Sequence, residues 1–113
     1  MLKQSLKKDS IKEIGIDENG RLCITPNSSK FPYIWREAME VHWNEKGDFL
    51  YSPVPREWFH LDWFKQITNA VEEQGYSIRI SSATRWNNIS ESLKKEIQDW
   101  AEAYFNNIED KLK

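Results

Sequence analysis

The stretch YIWREAMEVHWNEKGDFLYSPVPREWFHLDWF, residues 33–64, decides the fold. It holds four of the six tryptophans, both histidines, and Pro53 and Pro55. Its first third alternates. Tyr33, Trp35, Met39, Val41 and Trp43 fall on one face, with Glu37 as the exception. Ile34, Arg36, Ala38, Glu40 and His42 fall on the other. A period of two marks a strand with one buried face. Tyr33 to Trp43 is long beside a typical strand of about five or six residues, so a bulge or bend is expected inside it. Asn44 to Asp48 reads as a turn, and Phe49, Leu50 and Tyr51 as the returning strand. Pro53 and Pro55 stop that strand, because proline gives no N–H to a ladder. They also suit a first helical turn. A helix is expected to start between Pro55 and Leu61 and run to about Gln74. Phe59, Trp63, Ile67, Ala70 and Val71 form its apolar stripe, and Gly75 stops it.

Working outward, residues 1–9 are polar and read as a frayed tail. Ile11 to Ile16 and Arg21 to Thr25 read as strands around the turn Asp17-Glu18-Asn19-Gly20, with Pro26 as the end. Tyr76, Ile78 and Ile80 alternate as a fifth strand. Ser81 to Asn87 reads as loop. Asn88 with Glu91 fits a capping box. Leu93, Ile97, Trp100, Ala101, Tyr104, Phe105, Ile108 and Leu112 then make a long stripe at three- and four-residue steps. The expected fold is α+β, one domain over residues 1–113. A single, mainly antiparallel sheet, in the order ββββαβα, carries two helices packed on one face. Trp35, Val41, Trp63, Ile67, Ile97, Trp100 and Tyr104 are expected to be buried together.

At 113 residues the chain can bury a core without metal or disulfide support. A net charge of −2 gives no basic field for nucleic acid and no polybasic reason to sit on a membrane. Cys23 is alone, which suits a reducing compartment. Its alternation with Leu22 and Ile24 reads as a buried, inert thiol. No stretch approaches the roughly 18 apolar residues of a membrane span, and the expected location is cytoplasmic.

His42 and His60 are the only histidines, and neither HExxH nor a CxxC pair occurs. No metal site and no cofactor are expected. Ser81, Ser82 and Thr84 read as turn hydroxyls. Trp58 and Trp86 stand outside the apolar stripes. With Arg36, Arg85, His42 and His60 they are the candidate binding residues, because tryptophan beside arginine is the composition of an interface hot spot. Glu37 breaks an apolar row, and an unpaired carboxylate there would cost several kcal/mol. Arg56 at the helix start is its expected partner in a structural ion pair. The mixed face Ile34, Arg36, Ala38, Glu40 and His42 is expected to pair two copies of the chain as a dimer.

The runs FPYIWREAMEVHW, LYSPVPREW and DWFKQI resemble small bacterial proteins carried on mobile integron gene cassettes, over roughly Ile14 to Asn88. The resemblance implies a bacterial, cytoplasmic, stand-alone domain and supplies no functional residues. The reading is a non-enzymatic binding protein with an aromatic-rich surface for a protein partner, of the immunity type or a second copy. The alternative is a small-molecule-binding domain or enzyme with a tryptophan-lined pocket using Glu37, His60 or Asp62.

Overall fold

The computed structural model describes residues 7–32, 34, 41–52 and 59–112, the last six through their backbone alone. In chain order the elements are β1 (Lys7–Ile16), β2 (Leu22–Pro26), β3 (His42–Asn44), β4 (Phe49–Tyr51), α1 (His60–Glu73), β5 (Tyr76–Arg79), β6 (Arg85–Asn87) and α2 (Glu91–Leu112). All six strands join one sheet in the order β3-β4-β2-β1-β5, with β6 also on β1. The α+β class and the expected order hold, with the short β6 added after β5. The sheet is mixed. β1–β2, β2–β4 and β3–β4 are antiparallel, whereas β5 and β6 both run parallel to β1.

The β1–β2 hairpin forms where the sequence places it. Asp17 Oδ1 accepts the N–H groups of Asn19 and Arg21, each at 2.9 Å. Gly20 takes φ +85°, which costs glycine little. β1 begins at Lys7, not at Ile11, so residues 7–9 are sheet and not tail. Lys7 lies opposite Tyr76. Asp9 accepts the N–H groups of Ser28 and Ser29 at 3.0 and 2.9 Å. Burial pushes its carboxyl up, but these hydrogen bonds outweigh that and hold it below its ordinary value.

The long strand expected from Tyr33 to Trp43 is corrected at its start. Ile34 sits in one 3₁₀ turn, its N–H donating to Phe31 O at 3.2 Å. It is fully buried in the core, not on an exposed second face. The described strand is His42–Asn44 alone. Residues 33 and 35–40 lie outside the described set. Ser81 to Asn87 is likewise not all loop, because β6 occupies its second half.

Helix α1 starts at His60, and Asp62 reaches back to accept the Phe59 N–H at 3.0 Å. Phe59 was expected on the apolar stripe but is 80% exposed. Helix α2 is capped by Ser90, whose Oγ accepts the Leu93 N–H at 3.2 Å. Asn88 is not that cap. It sits at φ +59°, and its amide donates to Ile16 O at 3.0 Å.

One register line crosses the sheet toward the helices: Trp43, Leu50, Ile24, Ile14 and Trp86. All five belong to, or pack against, the hydrophobic cluster that also takes Trp63, Phe64, Ile67 and Val71 of α1 and Ile97, Ala101 and Phe105 of α2. Both helices therefore cover the same face. Each wholly buried side chain there contributes about 1.5–3 kcal/mol. Val41, Trp63, Ile67 and Ile97 are buried as expected, and Trp100 and Tyr104 are half-buried against the same cluster. Trp35 lies outside the described residues. The two helices meet where the Phe64 and Trp100 rings contact edge-on at 5.8 Å and Tyr104 donates to Glu72 at 2.6 Å.

Candidate functional site

The opposite face of the same strands carries a second register line: His42, Tyr51, Cys23, Gly15 and Asn87. Side chains alternate along a strand, so none of these points toward the helices. The next line on that face contains Asn44 opposite Phe49 and Glu13 opposite both Thr25 and Arg85. His42, Arg85 and Asn87 are exposed, and Tyr51, Cys23, Thr25, Phe49 and Glu13 are half-buried. Among the described residues, no helix packs on this face.

The face has two unlike halves. The β3–β4 half is aromatic. His42 stacks on Tyr51 at 5.2 Å, and Phe49 meets Tyr51 edge-on at 6.0 Å. The Arg21 guanidinium lies 4.9 Å from the Tyr51 ring centre and is held by Asp17 at 2.8 Å. The β1–β6 half is polar, with Arg85 paired to Glu13 at 3.2 Å. Between them lies a hollow of about 370 Å³ lined by Gly15, Cys23, Thr25, Phe49, Arg85 and Asn87 among others. Gly15 makes the hollow possible. A Cβ there would stand 3.1 Å from Asn87 O, so a larger residue would push β6 away.

Cys23 is half-buried in this floor, not fully buried. Burial pushes its thiol up to about 11, and the Asp17 charge adds to that. It is a thiol at neutral pH, and the expectation of an unreactive group agrees with this electrostatics. Among the described residues, no three His, Cys, Asp or Glu side chains group closely enough to hold a metal ion.

The sequence-nominated residues fall in several places. His42 and Arg85 do lie on the open face, at its opposite ends. Trp86 does not. It stands on the core-facing line opposite Ile14, with Lys94 5.5 Å from its ring centre, so it belongs to an apolar layer after all. His60 Nε2 donates to Gly20 O at 3.0 Å and ties α1 to the hairpin turn. A carbonyl can only accept, so this nitrogen carries the proton. Asp62 caps α1, and the hollow beside it is lined by Lys65, Gln66 and Asn69 without a tryptophan. Arg36, Trp58 and the Glu37–Arg56 pair lie outside the described residues. The dimer face drawn through Ile34 is corrected, since Ile34 is core.

Sequence reasoning missed Phe49, Tyr51, Glu13, Gly15, Thr25 and Asn87 as one surface. The signal was the alternation within β2 and β4, whose outward positions are polar or aromatic. It could not reveal which strands stand side by side.

Over residues 9–84 the chain matches the family described as Integron Cassette Protein Hfx_Cass5. A solved structure of Integron Cassette Protein Hfx_Cass5, from the mobile metagenome of North West Arm Sewage Outfall, is 45% identical to it. The match covers 86% of this chain and 98% of that one, with a TM-score of 0.45. No curated protein matches. By matched span and by identity, the chain belongs to this integron cassette protein family.

Proposed function

From that membership and the geometry of the open face, we propose that the chain is a non-enzymatic binding protein of a bacterial mobile gene cassette. It binds protein through the side of its sheet on which, among the described residues, no helix packs. One observation carries this reading: His42, Tyr51 and Phe49 form a contiguous aromatic half-face that no described helix covers. Aromatic rings beside arginine, with a polar rim, have the composition of a protein interface. The Cys23 thiol, pushed up to about 11, supports binding over covalent chemistry at this face. A cytoplasmic setting is part of the proposal, supported by the lone thiol. Among the described residues, no helix is long and apolar enough to cross a membrane.

Photo-crosslinking in a bacterial host tests it. Benzoylphenylalanine replaces Phe49 on the open face in one chain and exposed Glu102 on α2 in another. A discrete protein adduct is expected from position 49 and not from position 102. Equal adducts from both positions, or none from position 49, would sink the proposal.

A further inference from the structure

The two halves of the open face are complementary to each other, and this says which protein they fit. We infer that the face binds a second copy of this chain, strand direction preserved, about a two-fold axis running along β2. The inference rests on the reading of the face as a protein-binding surface and names its occupant. Such an axis carries β4 of one copy over β1 of the other, and β3 over β6. The rings of Phe49 and Tyr51 then meet the hollow that Gly15 leaves open, and the guanidinium of Arg85 meets the aromatic half. Each contact occurs twice, as a two-fold interface requires.

Charge and shape both favour this arrangement. Arg85 has 66% of its side chain exposed although paired with Glu13, so one side of its plane is available to a ring. The aromatic half carries Arg21, whose charge is already matched by Asp17 at 2.8 Å, so it does not repel Arg85 of the other copy. The opposite axis, across the strands, would set Arg85 against Arg85 and ring against ring, leaving both hollows unfilled. The middle positions, Cys23 and Thr25, are small enough for two sheets to approach at about 10 Å, the usual spacing of packed sheets. Five strands at about 4.8 Å spacing span roughly 20 Å. The contact is therefore small, under about 1,200 Å² in total, which belongs to weak and reversible association. A dimer that forms at micromolar concentration is the expected state.

Sedimentation equilibrium of the full chain, from low to high micromolar, reads the outcome. The expected mass rises from 13.5 kDa toward twice that value. Phe49→Lys takes away the ring that β4 lays over β1 of the other copy and brings a second cation beside its Arg85, and Arg85→Glu removes the guanidinium. Each alone should weaken dimerisation by about tenfold or more. Mixing the two variants should restore it, because Lys then meets Glu on one side and the native ring meets native Arg85 on the other. Unchanged circular dichroism and melting show that the variants fold. In the unmodified chain, hydrogen exchange at residues 49–51 should slow with concentration while that at residues 98–102 stays constant. A wild-type mass of one chain throughout overturns the inference, as does a dimer indifferent to both variants. A position-49 adduct to a different protein would, in that event, leave the binding proposal standing.

Discussion

The two faces of one sheet obey different rules. Along the same five strands, the helix-side line reads Trp43, Leu50, Ile24, Ile14, Trp86, and the open line reads His42, Tyr51, Cys23, Gly15, Asn87. The first is wholly apolar, with Leu50, Ile24 and Ile14 fully buried in the core that the helices share and Trp43 and Trp86 half-buried at its ends. Its residues are dictated by burial, and many sequences of the right size would serve there. The second mixes rings, a thiol and an amide that folding does not require there with one glycine, Gly15, that the approach of β6 does require. Stability explains the first line and leaves the rest of the second unexplained, which is why function is sought on the second.

Ile24→Ala should show the contrast most strongly. Ile24 is fully buried at the sheet centre, so its truncation should cost about 2–5 kcal/mol by urea denaturation. Truncating its neighbour on the open face, Thr25→Ala, should cost about 0.5 kcal/mol or less. Similar losses for both would erase the distinction between the faces.

Thr84→Val probes the seam where β5 gives way to β6. The buried Thr84 hydroxyl donates to Ile11 O at 2.6 Å and accepts the Ser81 N–H at 2.9 Å. Losing it strands both groups and should cost about 1–3 kcal/mol. It should also loosen β6 and the charged half of the open face, read as faster amide exchange at residues 85–87.

Tyr104→Phe tests the helical cover. Burial first, then the hydrogen bond and charge of Glu72, raise the Tyr104 phenol above its ordinary range. An unfolded tyrosine ionises near pH 10, whereas the folded one stays protonated there. The unfolded chain thus binds fewer protons above that pH. The Tyr104 contribution is complete below about pH 10 and fades as pH rises beyond it. The variant should be about 1–2 kcal/mol less stable at neutral pH, and the gap to wild type should narrow above pH 10 in denaturation series.

The last contrast is one of reactivity and not of stability, and it belongs to Cys23. With its thiol pushed up to about 11, the thiolate fraction at pH 8 is roughly 100-fold below that of an unperturbed cysteine. Iodoacetamide should react correspondingly faster with the urea-unfolded chain than with the folded one. Equal rates would mean that the open face does not shield its own floor.

Local signals were legible in the sequence. The turn at Asn19-Gly20, the α1 stripe from Trp63 to Val71 and the described part of the α2 stripe, Leu93 to Phe105, all lie where spacing puts them. Pattern failed where it was borrowed from one element for another. Ile34 matched the alternation of Tyr33 to Trp43 by parity, yet its N–H bonds to Phe31 and its side chain enters the core. Strand β6 is three residues, Arg85, Trp86 and Asn87, with one apolar side chain, too short for a period to show. Its parallel pairing to β1 has no local signal at all. The candidate site shares that fate. The sequence marks His42 and Arg85 within one candidate set with Arg36, Trp58, His60 and Trp86, but five strands from distant segments make the surface, and no spacing rule joins Glu13 to Arg85.

That pairing sets an order of events in synthesis. β1 finds β2 across a tight turn, Ile16 lying opposite Leu22, and such hairpins close within about 1–10 μs. Its other edge must wait for a residue 72 positions later, since Arg85 is the partner of Glu13. A nascent chain that has not yet produced residues 76–87 therefore carries β1 with one side of its backbone unsatisfied, a template for joining a neighbouring chain. The strand brings its own protection. Lys7, Lys8 and Lys12 are exposed along it, and repulsion between like charges discourages two unfinished chains from zipping together before β5 and β6 arrive.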